Sequence, residues 1–204
     1  VITYKGGDKL YLPADRMMMI HKYMGVDGIK AVIDKMGGKS WARVKARVKR
    51  SAEKIAGELL KVYAMRKVAT GFAYAPNDDY FHDFEARFPF EETTDQMDAI
   101  EDVISDMESA TPMDRLVCGD VGYGKTEVAL RAAFKAVNGN KQVAILVPTT
   151  VLAEQHYQTF TERFDGYPVN LACLSRFRSP KKQREIIARL KSGKIDIVIG
   201  THRL

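Results

Sequence analysis

Residues Gly119-Asp120-Val121-Gly122-Tyr123-Gly124-Lys125-Thr126 decide how the rest of this chain is read. They satisfy G-x-x-x-x-G-K-[ST], a loop whose backbone N–H groups wrap the phosphates of a nucleotide. In that pattern Lys125 brings a point charge to the β/γ-phosphates, and the Thr126 hydroxyl is a ligand to Mg²⁺. At ordinary residue frequencies a chance match in a chain of this length is on the order of 1%, which disfavours a plain Gly-rich turn with an exposed lysine. Arg115-Leu116-Val117-Cys118, just before the loop, reads as a short buried strand, and residues 127–137 after it read as a helix. The helix N-terminus then adds its partial positive charge to the anion site. ATP with Mg²⁺ is the expected ligand pair.

Working outward, apolar strands alternate with amphipathic helices. Ile100, Val103, Ile104 and Met107 recur at i, i+3, i+4 and i+7 and predict a helix ahead of the loop. Beyond the loop the pattern predicts strand 142–147, helix 151–164, strand 169–174, helix 180–191 and strand 195–199. Ser179 and Pro180 make an N-cap and first helical position, and Gly193 a C-terminal stop. The fold class is therefore α/β: a parallel sheet with flanking helices, over 88–204.

Upstream, Val1-Ile2-Thr3-Tyr4 and Lys9-Leu10-Tyr11-Leu12 are β-prone runs joined by Lys5-Gly6-Gly7-Asp8, a hairpin signal. Two strands alone are marginal, so residues 1–23 read as the end of a small β domain, with 14–23 as a short helix. Residues 24–87 read as a helical linker, with Ser40 as N-cap of a long helix and Gly71 as its stop. Between residues 35 and 67 there are eleven Lys/Arg against Glu53 and Glu58. That stretch is either a nucleic-acid track or the solvated outer face of a connecting helix.

The 204 residues are 46% hydrophobic and 28% charged, ordinary for a soluble globular protein and enough for one large domain or two modest ones. A net charge of +6 fits a polyanionic partner. No apolar run approaches the ~20 residues that span a bilayer, and no charged-then-apolar leader opens the chain, so no membrane role is expected. Cys118 and Cys173 both fall in predicted buried strands and read as small core residues of a reducing, cytoplasmic compartment. Both chain ends look cut, as in a segment of a longer protein.

Two further stretches follow strands. Pro148-Thr149-Thr150-Val151-Leu152-Ala153-Glu154-Gln155 follows one, and Gly200-Thr201-His202 another, both at the sheet edge where α/β proteins bind ligands. Small hydroxyl residues beside helix N-termini suit a run of sugar-phosphates. Pro-Thr-Thr taken alone is also a good helix start.

These residues carry a resemblance. Residues 88–96, 119–126, 148–156 and 200–202 resemble successive motifs of the first RecA-like lobe of superfamily 2 helicases. Residues 113–134, together with Ser175-Arg176-Phe177-Arg178-Ser179, are similar to the bacterial transcription-repair coupling factors, a family of double-stranded DNA translocases within it. Residues 8–13 and 20–23 resemble the end of that family's RNA-polymerase-interacting domain, a small Tudor-like barrel. The hairpin would then be a barrel remnant and the basic helices the linker to a truncated motor lobe.

The resemblance implies roles. Gln96 would read the adenine edge, with Phe90 or Phe88 packing nearby, although Thr93-Thr94-Asp95-Gln96 is also a capping box in which Gln96 merely caps a helix. Gly119, Asp120, Val121, Gly122, Tyr123 and Gly124 would cradle phosphate, and Lys125 and Thr126 would hold phosphate and Mg²⁺. Thr149, Thr150, Arg176, Thr201 and His202 would lie along DNA phosphates; Arg176 and Arg178 read equally as surface or interlobe residues. Partners implied are double-stranded DNA, the RNA polymerase β subunit and, through regions outside this chain, the nucleotide excision repair machinery. The family's Mg²⁺-holding and water-activating Asp-Glu pair is expected beyond Leu204, so hydrolysis by this chain alone is expected to be almost nil. Two alternatives are a RecG-type branch-migration helicase and a non-catalytic module that docks on RNA polymerase.

Overall fold

The computed structural model describes residues 1–21, 33 and 35–202. In chain order the elements are β1 (Ile2–Thr3), β2 (Lys9–Leu10), a 3₁₀ turn (Ala14–Met19) and α1 (Ser40–Val68). Then come α2 (Asp79–Ala86), α3 (Thr94–Glu108), α4 (Lys125–Asn138), β3 (Val143–Leu146), α5 (Thr150–Arg163), β4 (Leu171–Leu174), α6 (Pro180–Lys191) and β5 (Ile197–Gly200). They form two compact units, Val1–Met65 and Arg66–Leu204.

In the first unit β1 and β2 pair antiparallel, Ile2 opposite Leu10 and Thr3 opposite Lys9. Gly6 and Gly7 both take positive φ (101° and 90°), which is why the turn needs two glycines. The short helix expected over 14–23 is a 3₁₀ turn ending at Met19; Lys22 and Tyr23, and the boundary drawn after residue 23, lie outside the described residues. Helix α1 buries none of its residues. Arg43, Arg47, Arg50, Lys54 and Lys61 stand at i, i+4, i+7, i+11 and i+18 and so share one face, while Trp41, Val44, Val48, Ile55, Leu59 and Val62 share another.

In the second unit β5 is the central strand of a parallel sheet ordered β3-β5-β4. All four of its residues are buried, as a strand covered on both faces requires. Ile197 and Ile199 face a core with Phe134 of α4, Phe160 of α5 and Ile104 of α3. Val198 faces the other way, with Ala172, Leu174 and Ile186 of α6. The larger core reaches upstream of residue 88, where the sequence reading begins the domain: Phe81 and Phe84 of α2 are fully buried in it, and Phe84 stacks on Phe134 at 4.2 Å.

The strand expected at 115–118 does not form. Apolar, β-branched composition favours a strand only where a neighbouring backbone pairs with it, and among the described residues the sheet has three members, none of them this segment. Arg115 is held instead by Asp102 and Asp106 of α3, each at 2.6 Å. Leu116 and Cys118 are accordingly exposed, so Cys118 is not the core residue its neighbours suggest, whereas Cys173 in β4 is buried.

Candidate functional site

Helix α4 differs from its neighbours at its start. Asp78, Thr93, Thr149 and Ser179 cap α2, α3, α5 and α6 by accepting a hydrogen bond from a first-turn amide. No side chain caps α4; its N-cap is Gly124, in the left-handed region at φ 72°. The N-cap thus offers the first-turn amides no carboxylate or hydroxyl, and those amides carry the helix's partial positive charge. Gly122 is also left-handed, at φ 89°. Together the two glycines let the loop from Gly119 turn its backbone inward.

Within the loop Val121 and Tyr123 are exposed, as are Asp120 and Lys125. The Lys125 ammonium folds back and donates to the carbonyls of Gly119 and Asp120. It therefore sits inside the curl of the loop, satisfied by two neutral acceptors that an anion would outcompete. Thr126 is the next residue, partly buried at the mouth. Among the described residues no group of three or more His, Cys, Asp or Glu side chains could hold a metal ion. The Thr126 hydroxyl is an oxygen donor of the kind a hard cation such as Mg²⁺ takes alongside phosphate oxygens.

Gln96 joins this loop directly. Its Oε1 accepts from Thr93 N at 2.9 Å while its own N–H donates to Thr93 Oγ1 at 3.3 Å, so the capping box is formed. Its Nε2 donates to Tyr123 O at 3.1 Å, reaching across to the 119–126 loop. Phe88 and Phe90 lie beside it in a T-shaped pair with centroids 5.6 Å apart, and Phe90 is 73% exposed. Phe88, Phe90, Gln96, Gly122, Gly124 and Thr126 line one cleft of about 410 Å³, in the range of small-molecule sites.

Gly124 is required here on two counts. Its φ is left-handed, and a Cβ would stand 2.3 Å from Gln96 Nε2. Gly124→Ala is expected to cost about 1–2 kcal/mol for the backbone alone and to push Gln96 off the Tyr123 carbonyl. Urea unfolding checks the first effect and loss of nucleotide affinity the second.

The residues expected along DNA lie after the carboxyl ends of the three parallel strands, which share register at Leu146, Leu174 and Gly200. Thr149 and Thr150 follow β3, Arg176 follows β4, and Thr201 and His202 follow β5. The Thr149 hydroxyl is engaged as the cap of α5, accepting from Leu152 N at 3.2 Å. Thr201 is buried (5% exposed) and His202 is exposed. Arg176 lies 5.8 Å from the Phe177 ring, and Arg178 pairs with Glu154 at 3.1 Å.

Sequence reasoning missed the charged interior behind the loop. Glu127, Arg131 and Lys135 occupy successive turns of α4 and are all buried. Glu127 Oε1 accepts from Arg131 Nε at 3.0 Å and from Arg163 Nη2, of α5, at 2.9 Å. Arg131 also reaches Glu85 at 3.2 Å and Glu92. Lys135 donates to Ala75 O, Asn77 Oδ1 and Glu108 Oε1 at 2.7–2.9 Å. Burial pulls the Arg131 pKa down, but the bonds to Glu92 and Glu127 outweigh it and hold it above the ordinary value. The Arg131 hydrogen bond holds the Glu92 carboxyl below the usual carboxylate range. The available signal was three charges at i, i+4 and i+8 in an otherwise apolar helix.

Comparison with known proteins adds the following. The sequence model of the DEAD/DEAH box helicases matches residues 93–204. The chain is 53% identical over its whole length to the transcription-repair-coupling factor of Bacillus subtilis, and 55% identical to that of Myxococcus xanthus. It spans 17% of the length of each. Among solved structures, RecG bound to a three-way DNA junction superposes with a TM-score of 0.66 at 36% identity, covering 71% of this chain and 20% of that one. No helix among the described residues is long and apolar enough to cross a membrane.

Proposed function

The chain belongs to the DEAD/DEAH box helicase family, and on that premise we propose that it is the ATP-holding part of a double-stranded DNA translocase of the transcription-repair coupling kind. The observation that carries the reading is the uncapped, glycine-flanked start of α4 with Lys125 folded inside its loop. With nucleotide bound, Lys125 would exchange the Gly119 and Asp120 carbonyls for the β/γ-phosphates, the loop amides would hold the remaining oxygens, and the Thr126 hydroxyl would be a ligand to Mg²⁺. Mg²⁺, when bound, neutralises phosphate charge. Gln96, whose amide can both donate and accept, would read the adenine edge, with Phe90 and Phe88 packing nearby. Duplex DNA runs past the ends of β3, β4 and β5, where Thr149, Thr150, Arg176, Thr201 and His202 cluster.

The amino-terminal hairpin belongs to a barrel that contacts the RNA polymerase β subunit, and the longer protein displaces stalled polymerase and brings in excision repair in the cytoplasm. Similarity over the whole chain, including residues 1–65, supports this reading over a RecG-type one, whose structural likeness covers 71% of the chain. A purely docking role is tested by pull-down with the polymerase β subunit, for which weak or no binding is expected.

No Asp-Glu dipeptide occurs in these 204 residues. The chain is therefore expected to bind MgATP weakly at best and to hydrolyse almost none, the acidic pair that activates water being supplied elsewhere in the longer protein. A phosphate-release assay with and without duplex DNA checks this. Background-level release in both is expected, and DNA-stimulated turnover would contradict it.

A further inference from the structure

Buried ion clusters are seldom a net source of stability, because desolvating each charge offsets the attraction it gains. The cluster on α4 asks for a second role, and its connections point to one. Arg131 is 5% exposed and reaches Glu92 with Nη2 and Glu127 with Nε. Glu92 lies in the short segment between α2 and α3 that carries Phe88 and Phe90 and leads into the Thr93–Gln96 capping box. The Arg131 guanidinium also stands 5.7 Å from the Phe88 ring centroid. Glu127, its other partner, directly follows Lys125 and Thr126 on the same helix. A single buried side chain thus ties the segment carrying Phe88 and Phe90 to the helix that begins at Lys125.

Resting on the nucleotide reading above, we propose that Arg131 is a positioning residue for the nucleobase. Through Glu92 it pins Phe88, Phe90 and Gln96 to the helix that carries the phosphate loop, so that base and triphosphate are held in one fixed geometry. The phosphates themselves are held by loop amides and Lys125, which do not depend on this tie. Breaking it should therefore lower affinity for ATP and spare affinity for inorganic tripolyphosphate, a difference that general destabilisation would not produce.

The experiment is calorimetric titration of the whole chain with MgATP and with Mg-tripolyphosphate, for wild type, Glu92→Ala, Glu92→Gln and Arg131→Met. Glu92 is only partly buried, so its variants remain informative if Arg131→Met fails to fold; thermal melting checks each. The expected result is a loss of about tenfold in ATP affinity for Glu92→Ala, with tripolyphosphate affinity within about twofold of wild type. Glu92→Gln, which keeps an acceptor for Arg131, should recover most of the loss. Equal losses for both ligands would reduce the cluster to a structural role and overturn the proposal, as would no loss for either. Equal affinity of the wild type for the two ligands would overturn it too, because the base would then contribute nothing. Binding of neither ligand by wild type would instead remove the nucleotide reading on which the proposal rests.

Discussion

Lys125→Ala is expected to weaken MgATP binding by about two orders of magnitude while leaving the fold intact. A hydrogen bond to a charged group contributes about 1.5–3 kcal/mol, and about 1.4 kcal/mol corresponds to a factor of ten in affinity. The ammonium addresses both the β- and γ-phosphates, which places the loss at the upper end of that range. Stability should hardly change, because Lys125 is exposed and among the described residues its side chain bonds to the loop carbonyls of Gly119 and Asp120. Those carbonyls return to water in the variant without a buried group being orphaned. Lys125→Arg is not a conservative control: a planar fork does not fit the curl that holds a compact ammonium. On the function proposed above, Lys125→Ala in a longer protein carrying this segment is expected to abolish translocation and leave polymerase binding unchanged. Loss of both would assign the lysine a structural role. Fluorescent-nucleotide titration and urea unfolding of the same variant separate the two effects.

Glu127→Ala should have the opposite signature, a large loss of stability. The Glu127 side chain is 7% exposed and accepts from two guanidinium groups, those of Arg131 and Arg163. Without it Arg163 keeps, among the described residues, the bond to Phe84 O at 2.7 Å, and its Nη1 is already buried without a partner there. Removing one member of a buried ion cluster costs about 3–5 kcal/mol, a large share of the 5–15 kcal/mol that holds a typical domain. Arg163 also stacks over the Phe84 ring at 4.0 Å, so its displacement would disturb the aromatic core as well. Glu127→Gln keeps an acceptor and should lose less. Urea midpoints for the pair measure the difference. If Glu127→Ala unfolded at the wild-type midpoint, the interior charges would be shown to be well solvated.

How far the site could be read in advance depended on whether its determinants were local. Helix α6 begins at Pro180 behind the Ser179 cap and ends before left-handed Gly193, because cap, proline and glycine each act within a few residues. The start of α4 was legible for the same reason: a left-handed glycine before a lysine is a property of the loop itself. The segment at 115–118 was misread because strand formation needs a partner distant in sequence, and local composition cannot provide one. Gln96 carried two readings that the sequence could not separate. The folded chain realises the capping box and adds the bond to Tyr123 O, which arises only when α3 packs beside the loop. Arg131 and Glu127 went unnoticed because charges four apart on a helix usually face water. Only the packing of α2, α5 and the 88–93 segment around α4 encloses them.

Hydrogen exchange of the chain with and without MgATP tests most directly whether the uncapped start of α4 is where a nucleoside triphosphate is held. Slowed exchange should appear at the amides of residues 122–127 and be lost in Lys125→Ala, with the amides of α6 unchanged. Equal exchange in the presence and absence of MgATP, or protection confined to another part of the chain, would contradict it.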